Sequence, residues 1–249
     1  MSDFLTLDLT SQVLDQDEGG HNHWRQVTQR REWPCQQTAL LLCDVWDRHW
    51  SRGANERVGA MVGRMDQLTR ALRERGVHII HAPSDTMEFY EGTPARQRVL
   101  EAPAVESPAQ IERPDPPQPI DASDHGSDTP GDEPHKAWHR QHPGIFIDQQ
   151  RDGIGDNGGQ VYNFMAQRGV GHMLIMGVHT NMCVLERSFA IKQMVKWGVE
   201  IALVRDLTDT MYNPASPPYV SHEEGTRLVI EYIEKFWCPT LTSRAILGE

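Results

Sequence analysis

Cysteine is scarce in this chain, with four among 249 residues. Cys35, Cys43, Cys183 and Cys238 lie 8, 140 and 55 residues apart, which matches neither a disulfide framework nor a paired CxxC zinc pattern, so free thiols are expected. Positive charge is also short. Lys and Arg number 24 against 35 Asp and Glu, a formal net charge of −11, and an acidic surface of this kind excludes the clustered cations that a sequence-independent nucleic-acid grip needs. No run approaches the roughly 20 apolar residues of a membrane span. The opening MSDFLTLDLTSQ has neither a basic n-region nor an apolar h-region, so no secretory leader is expected and the location predicted is cytoplasmic. What remains, 38% hydrophobic, 24% charged and 7% aromatic, is an ordinary globular composition, enough for one large domain.

The acidity is concentrated. Between Ala102 and Pro134 there are eight acids against one base, Arg113, or −7 of the −11, together with eight of the 16 prolines. The stretch has almost no apolar periodicity and is expected to be an extended surface insertion. Segments of this length in compact domains serve as lids, oligomer arms or solvated excursions.

Elsewhere short apolar runs alternate with helical patterns. Ala39–Val45, Val77–His81, Ile145–Ile147, His172–Val178 and Val199–Val204 are continuously apolar, as parallel strands covered on both faces are. Val58, Met61, Val62, Met65, Leu68 and Leu72 recur at three- and four-residue spacing before Gly76, which marks an amphipathic helix and its stop. Further helices are predicted from about Gln160 to Gln167, from about Met182 to Trp197, and from Glu223 to Trp237 after a Ser221 cap. Thr240–Leu247 offers a last strand. The alternation predicts an α/β fold, a three-layer doubly wound domain with a six-stranded, mainly parallel sheet flanked by helices. Residues 1–37 form an N-terminal arm or hairpin, and residues 38–249 form the domain, interrupted at about 102–134.

In such sheets ligands bind at the carboxyl ends of the strands. The first apolar run ends in Cys43-Asp44-Val45-Trp46, and an Asp there serves equally well as a loop cap. The fourth ends in GVHTNMCV, Gly177–Val184, which sets Cys183 at a predicted helix start. A helix N-terminus lowers a thiol's pKa toward the reactive thiolate; the alternative is an inert thiol packed under the sheet.

An Asp ending the first strand, a basic residue after the third, and GVHTNMCV after the fourth together resemble the isochorismatase-like cysteine hydrolases, which include nicotinamidases and N-carbamoylsarcosine amidases. The resemblance spans roughly residues 38–237. It implies a triad of Asp44, a lysine and Cys183. Lys136 is the favoured third member and Arg140 the alternative, since a guanidinium cannot yield a proton near neutral pH. It also implies a cis peptide before His179, with the N–H groups of His179 and Cys183 forming an oxyanion hole. Asp44 would take the thiol proton, Cys183 would attack an amide-like carbonyl, and water would cleave the thioester, with no cofactor. Two alternatives stay open: vinyl-ether hydrolysis with Asp44 as acid, and a non-catalytic small-molecule binder.

The chain departs from the family pattern in places. Trp46 stands where many members carry Gln. Ser84–Tyr90 keeps Asp85 but lacks the histidines of a nicotinamidase metal site, so no metal is expected there. His135, His139 and His142 have helical spacing, yet Pro134 and Pro143 bracket them and argue against a helix that would gather them. Glu186 and Arg187, just after Cys183, either read an ionic substrate or pair with each other. Trp46, Asp85, Trp138 and Val178 are the expected lining of a small-molecule pocket, and the family's habit predicts a homo-oligomer.

Overall fold

In the computed structural model, which describes residues 3–248, the period-two alternation of β3 (Thr38–Cys43) sets the layering. Leu40 and Leu42 face one side of the sheet and Ala39, Leu41 and Cys43 the other, all of them buried. The first side is covered by α1 (Arg52–Glu74), whose Val58, Val62, Met65, Leu68 and Leu72 are buried. Each such side chain contributes about 1.5–3 kcal/mol. Ser51 caps α1 by accepting the Ala54 N–H, and Gly76, at φ +88°, follows its end. The opposite side carries α3 (Gly158–Gln167), α4 (Cys183–Glu186), α5 (Ile191–Lys196) and α6 (His222–Phe236).

Among the described residues the sheet has eight strands in the order β2-β1-β8-β7-β6-β3-β4-β5, two more than the sequence pattern predicts. The six parallel strands are β3, β4 (His78–Ala82), β5 (Gly153–Ile154), β6 (His172–Val178), β7 (Glu200–Asp209) and β8 (Thr240–Leu241). The additional pair is an antiparallel hairpin, β1 (Phe4–Gln16) and β2 (Asn22–Pro34), joined to β8 where Thr10 meets Thr240. β1 alternates cleanly, burying Leu5, Leu7 and Leu9, whereas β2 is exposed over nearly its whole length and leaves no apolar signal to read. A short helix, α7 (Ser243–Leu247), occupies most of the run predicted as the last strand.

Two further expectations are corrected. Ile145–Ile147 is not a strand: the segment docks on α1 through side chains, the Phe146 N–H donating to Asp66 at 2.8 Å and Arg73 donating to the Phe146 carbonyl at 3.1 Å. The helix predicted over Met182–Trp197 is broken between α4 and α5. Arg187 turns to extended backbone, the Ser188 hydroxyl accepts the Gly158 N–H, and Phe189 is buried.

The acidic, proline-rich segment runs without regular structure from α2 (Pro94–Leu100) toward β5, but it is strapped down rather than free in solvent. The Ile111 N–H donates to the Lys196 carbonyl, Asp115 pairs with Lys192 at 2.8 Å, and Gln118 donates to the Asn181 carbonyl at 2.8 Å. Asp128 pairs with Arg57 and Asp132 accepts the Arg52 N–H at the start of α1. An anion at that end opposes the helix dipole favourably. Asp115, Asp128 and Asp132 are thus bonded within the molecule, while Glu106, Glu112 and Glu133 stay exposed.

Candidate active site

β3 is flanked by β6 on one side and β4 on the other, so the chain's winding reverses there, and the carboxyl ends of these strands open the crevice such folds use. Asp44 follows β3 and Asp85 follows β4. Both have left-handed backbone, φ +49° and +62°, a conformation that non-glycine residues adopt sparingly and Asp tolerates best. Two strained aspartates at adjacent strand ends point to a constrained site.

Asp44 is fully buried and held at both oxygens. Oδ1 accepts the Ser84 N–H at 2.7 Å and Oδ2 accepts Nε of Arg187 at 3.0 Å. Nη2 of Arg187 reaches Asp85 at 3.4 Å, so one guanidinium bridges the two aspartates. The Cys183 thiol stands close enough to Asp44 and to the His179 backbone to feel both. Cys183 itself is partly exposed.

The peptide between Val178 and His179 is cis. In the turn that follows, Met182 and Val184 both donate to the His179 carbonyl, at 3.0 and 3.1 Å. Arg187 lies one helical turn from Cys183 and its N–H donates to the Cys183 carbonyl, so thiol and cation leave the same short element on one side.

Burial pushes the Asp44 carboxyl above its ordinary value, with Arg187, Cys183 and Ser84 opposing. Burial first, and then the Asp44 charge, push the Cys183 thiol well above its ordinary value despite Arg187. The sequence expectation of a thiolate favoured by a helix dipole is thus corrected, because α4 has a single turn and a carboxylate stands against the sulfur. The resting pair is a thiol beside a carboxylate.

The proposed basic residues lie elsewhere. Lys136 is half exposed and pairs with Glu88 at 3.7 Å, and Arg140 is exposed and stacks over Phe89. The segment carrying them turns outward, and neither side chain meets Asp44. Glu186 pairs with Lys192 at 2.6 Å rather than with Arg187. The other predicted residues do gather at the crevice. Trp46, Val178, His49, Asn55 and His179 wall a space beside Asp44 of about 10 Å3, room for roughly one water. Trp138 stacks on Trp46 at 4.3 Å between centroids, and the Trp46 indole donates to the Ser84 carbonyl at 3.0 Å. On the outer side, Trp138 joins Glu88, Phe89, Lys136 and His139 around an open depression of about 300 Å3. Burial holds His49 and His179 neutral, with pKa values pushed down to about 4 and about 3. Among the described residues, no group of three or more His, Cys, Asp or Glu is placed to hold a metal ion.

Residues 38–216 match the family model described as "Isochorismatase domain". A cysteine hydrolase from Pseudomonas syringae pv. phaseolicola is similar in structure at 15% identity and a TM-score of 0.53, over 87% of this chain and 95% of that one. An isochorismatase family protein from Burkholderia thailandensis is similar at 14% identity and a TM-score of 0.50, over 86% and 95%. At these identities the likeness shows the shared fold alone. No curated protein sequence matches the chain.

Proposed function

The chain belongs to the isochorismatase family, and within it we propose a cysteine-dependent hydrolysis of a small amide-like substrate, with Asp44, Arg187 and Cys183 as the working groups. The observation that carries this is the Cys183 thiol set beside the buried Asp44 carboxylate, which Arg187 and the Ser84 N–H hold from both oxygens.

On this reading the substrate carbonyl docks at the N–H groups of His179 and Cys183. Asp44 accepts the thiol proton as sulfur attacks, and Arg187 keeps Asp44 ionised enough to do so. The developing oxyanion is met by the two backbone donors. Asp44 returns its proton to the departing amine, and water cleaves the thioester to release an acid and restore the thiol. Arg187 acts here as fixed charge and orienter, a task that needs no proton transfer from the guanidinium. A homo-oligomer is part of this reading and is checked by light scattering.

One observation favours a second reading. Burial raises both Asp44 and Cys183, which suits Asp44 as an acid in vinyl-ether cleavage, where the thiol is dispensable. A panel of small primary amides assayed for ammonia release separates the two. Turnover lost in Cys183→Ala, with an acylated Cys183 peptide trapped from the native enzyme, supports the amidase. Isochorismate cleavage that survives Cys183→Ala refutes it, and p-nitrophenyl acetate leaving Cys183 unmodified would refute any thioester route.

A further inference from the structure

His222, the first residue of α6, is 8% exposed, and both of its ring nitrogens face oxygen acceptors. Nδ1 lies 3.0 Å from the Tyr212 carbonyl and Nε2 lies 2.9 Å from the Asp209 carboxylate. A carbonyl and a carboxylate only accept, so both nitrogens must donate and the ring is an imidazolium. Its charge belongs to a quartet. Arg57 of α1 donates to Asp209 at 2.8 Å and to Asp128 of the strap at 2.6 Å, and Asp128 lies 3.7 Å from Nδ1 of His222. Two cations and two anions thus join α1, the strap, the end of β7 and the start of α6. Glu223 on α6 and neutral His179 on the nucleophile turn are the remaining titratable groups that feel its charge.

Asp209 connects this quartet to the site. It is the last residue of β7, stands opposite Val178 in the ladder with β6, and accepts the Thr180 N–H on its carbonyl at 2.8 Å. Beside it the Thr180 and Thr208 hydroxyls meet at 2.7 Å, and the Asn181 side chain exchanges two 3.0 Å bonds with the Met211 backbone. The turn that carries His179 and Cys183 therefore hangs on the end of β7, and the quartet fixes that end.

We propose that the His222 imidazolium is a positioning residue for the nucleophile: through Asp209 it holds the Val178–Cys183 turn in place, and its deprotonation loosens turn and strap together. The inference rests on the hydrolase reading only in naming Cys183 as nucleophile. A neutral ring turns one lone pair toward an oxygen and leaves the quartet one cation short. Burial opposes the imidazolium, the bond to Asp209 and its field outweigh that, and the ring's pKa lies above the ordinary 6.5. The loosened state is accordingly reached on the alkaline side.

The test is the alkylation of Cys183 by iodoacetamide, followed on the Cys183 peptide by mass spectrometry from about pH 6 to pH 10. It compares the native full-length chain with Asp128→Asn and His222→Gln. A thiol in a fixed setting follows one ionisation curve. Positioning by His222 adds an earlier step, a gain of about tenfold, as for one unit of thiol pKa. That step moves to lower pH in Asp128→Asn, where one anion of the quartet is gone, and in His222→Gln the faster rate appears at every pH. A single curve shared by the native chain and Asp128→Asn overturns the proposal. Asp128 lies on the partly exposed strap, so that variant keeps the test decisive should His222→Gln fail to fold. The hydrolase reading fails separately, if p-nitrophenyl acetate leaves no acetyl group on Cys183, and that result does not alter the alkylation curves.

Discussion

Replacing Arg187 by Gln removes the only cation bonded to Asp44 among the described residues while keeping most of the side-chain volume. Two unit charges about 4 Å apart at an effective dielectric of about 20 attract by about 4 kcal/mol. A third of the Arg187 side chain is exposed, and solvent screening reduces the usable part to about 2 kcal/mol. At 1.36 kcal/mol per unit this raises the Asp44 acid by about 1.5 pH units. Burial already holds that group above its ordinary value with Arg187 in place, so losing the cation shifts Asp44 further toward its protonated form, which cannot accept the thiol proton. The assay is the burst of p-nitrophenolate released from p-nitrophenyl acetate, with acetyl-Cys183 confirmed by mass, across the pH range. In Arg187→Gln the acid limb of the burst rate should shift upward by about 1.5 units, and Arg187→Lys should recover part of the shift. An acid limb that stays in place in Arg187→Gln, with the burst intact, refutes the role assigned to this guanidinium.

Lys136→Ala and Arg140→Ala should each leave the same burst rate within about twofold, as surface changes do, because neither side chain meets Asp44; a loss of tenfold or more would return one of them to the site. Gly177→Ala should cost 3 kcal/mol or more in denaturant unfolding, since φ is +125° and a Cβ would run into the Cys43 carbonyl oxygen. Arg73→Leu strips one partner from Asp152, fully buried and bonded by Arg73 at 2.6 Å and by His81 at 2.9 Å, and should destabilise by about 3 kcal/mol. Burial alone would raise the Asp152 carboxyl, but the bonds from His81 and Arg73 hold it below the ordinary value. A depressed carboxylate stabilises the fold above its unfolded pKa of about 4, and that contribution is lost as pH falls through the lower folded value. The native chain should lose stability in acid more steeply than Arg73→Leu, as thermal melts between about pH 2 and 6 would show.

Much of this was legible in the residues themselves. β6 runs over His172–Val178 as its apolar run predicts, and Ser221 caps α6 through the Glu224 N–H. The places that the sequence hides share a physical cause, that side-chain bonding replaces a periodic signal. The strap holds on by single ion pairs and backbone bonds, and Ile145–Ile147 mimics a strand because Ile145 packs with α1 while Ile147 packs beside Tyr90, Ala95 and Ile154. Arg187 is legible in the sequence as a charge near Cys183, but its bridge to Asp44 and Asp85 is not, because the fold rather than chain order brings it over β3 and β4. Its signal was its position four residues beyond Cys183. The quartet of Arg57, Asp128, Asp209 and His222 draws on separations of up to 152 residues, which no local pattern can express.

The joint between Thr10 and Thr240 bears on how the molecule is made. A ribosome releases β1 and β2 early, and they can pair with each other at once, yet the strand that ties them to the sheet arrives some 230 residues later. Until then the buried-to-be face of Leu5, Leu7 and Leu9 has no sheet edge to join, and Asp209 and His222 come only shortly before that strand. Pairings of such long sequence separation form slowly and leave apolar surface open meanwhile. Nascent chains stalled before about residue 222 should therefore hold Cys183 in a turn that is not yet set.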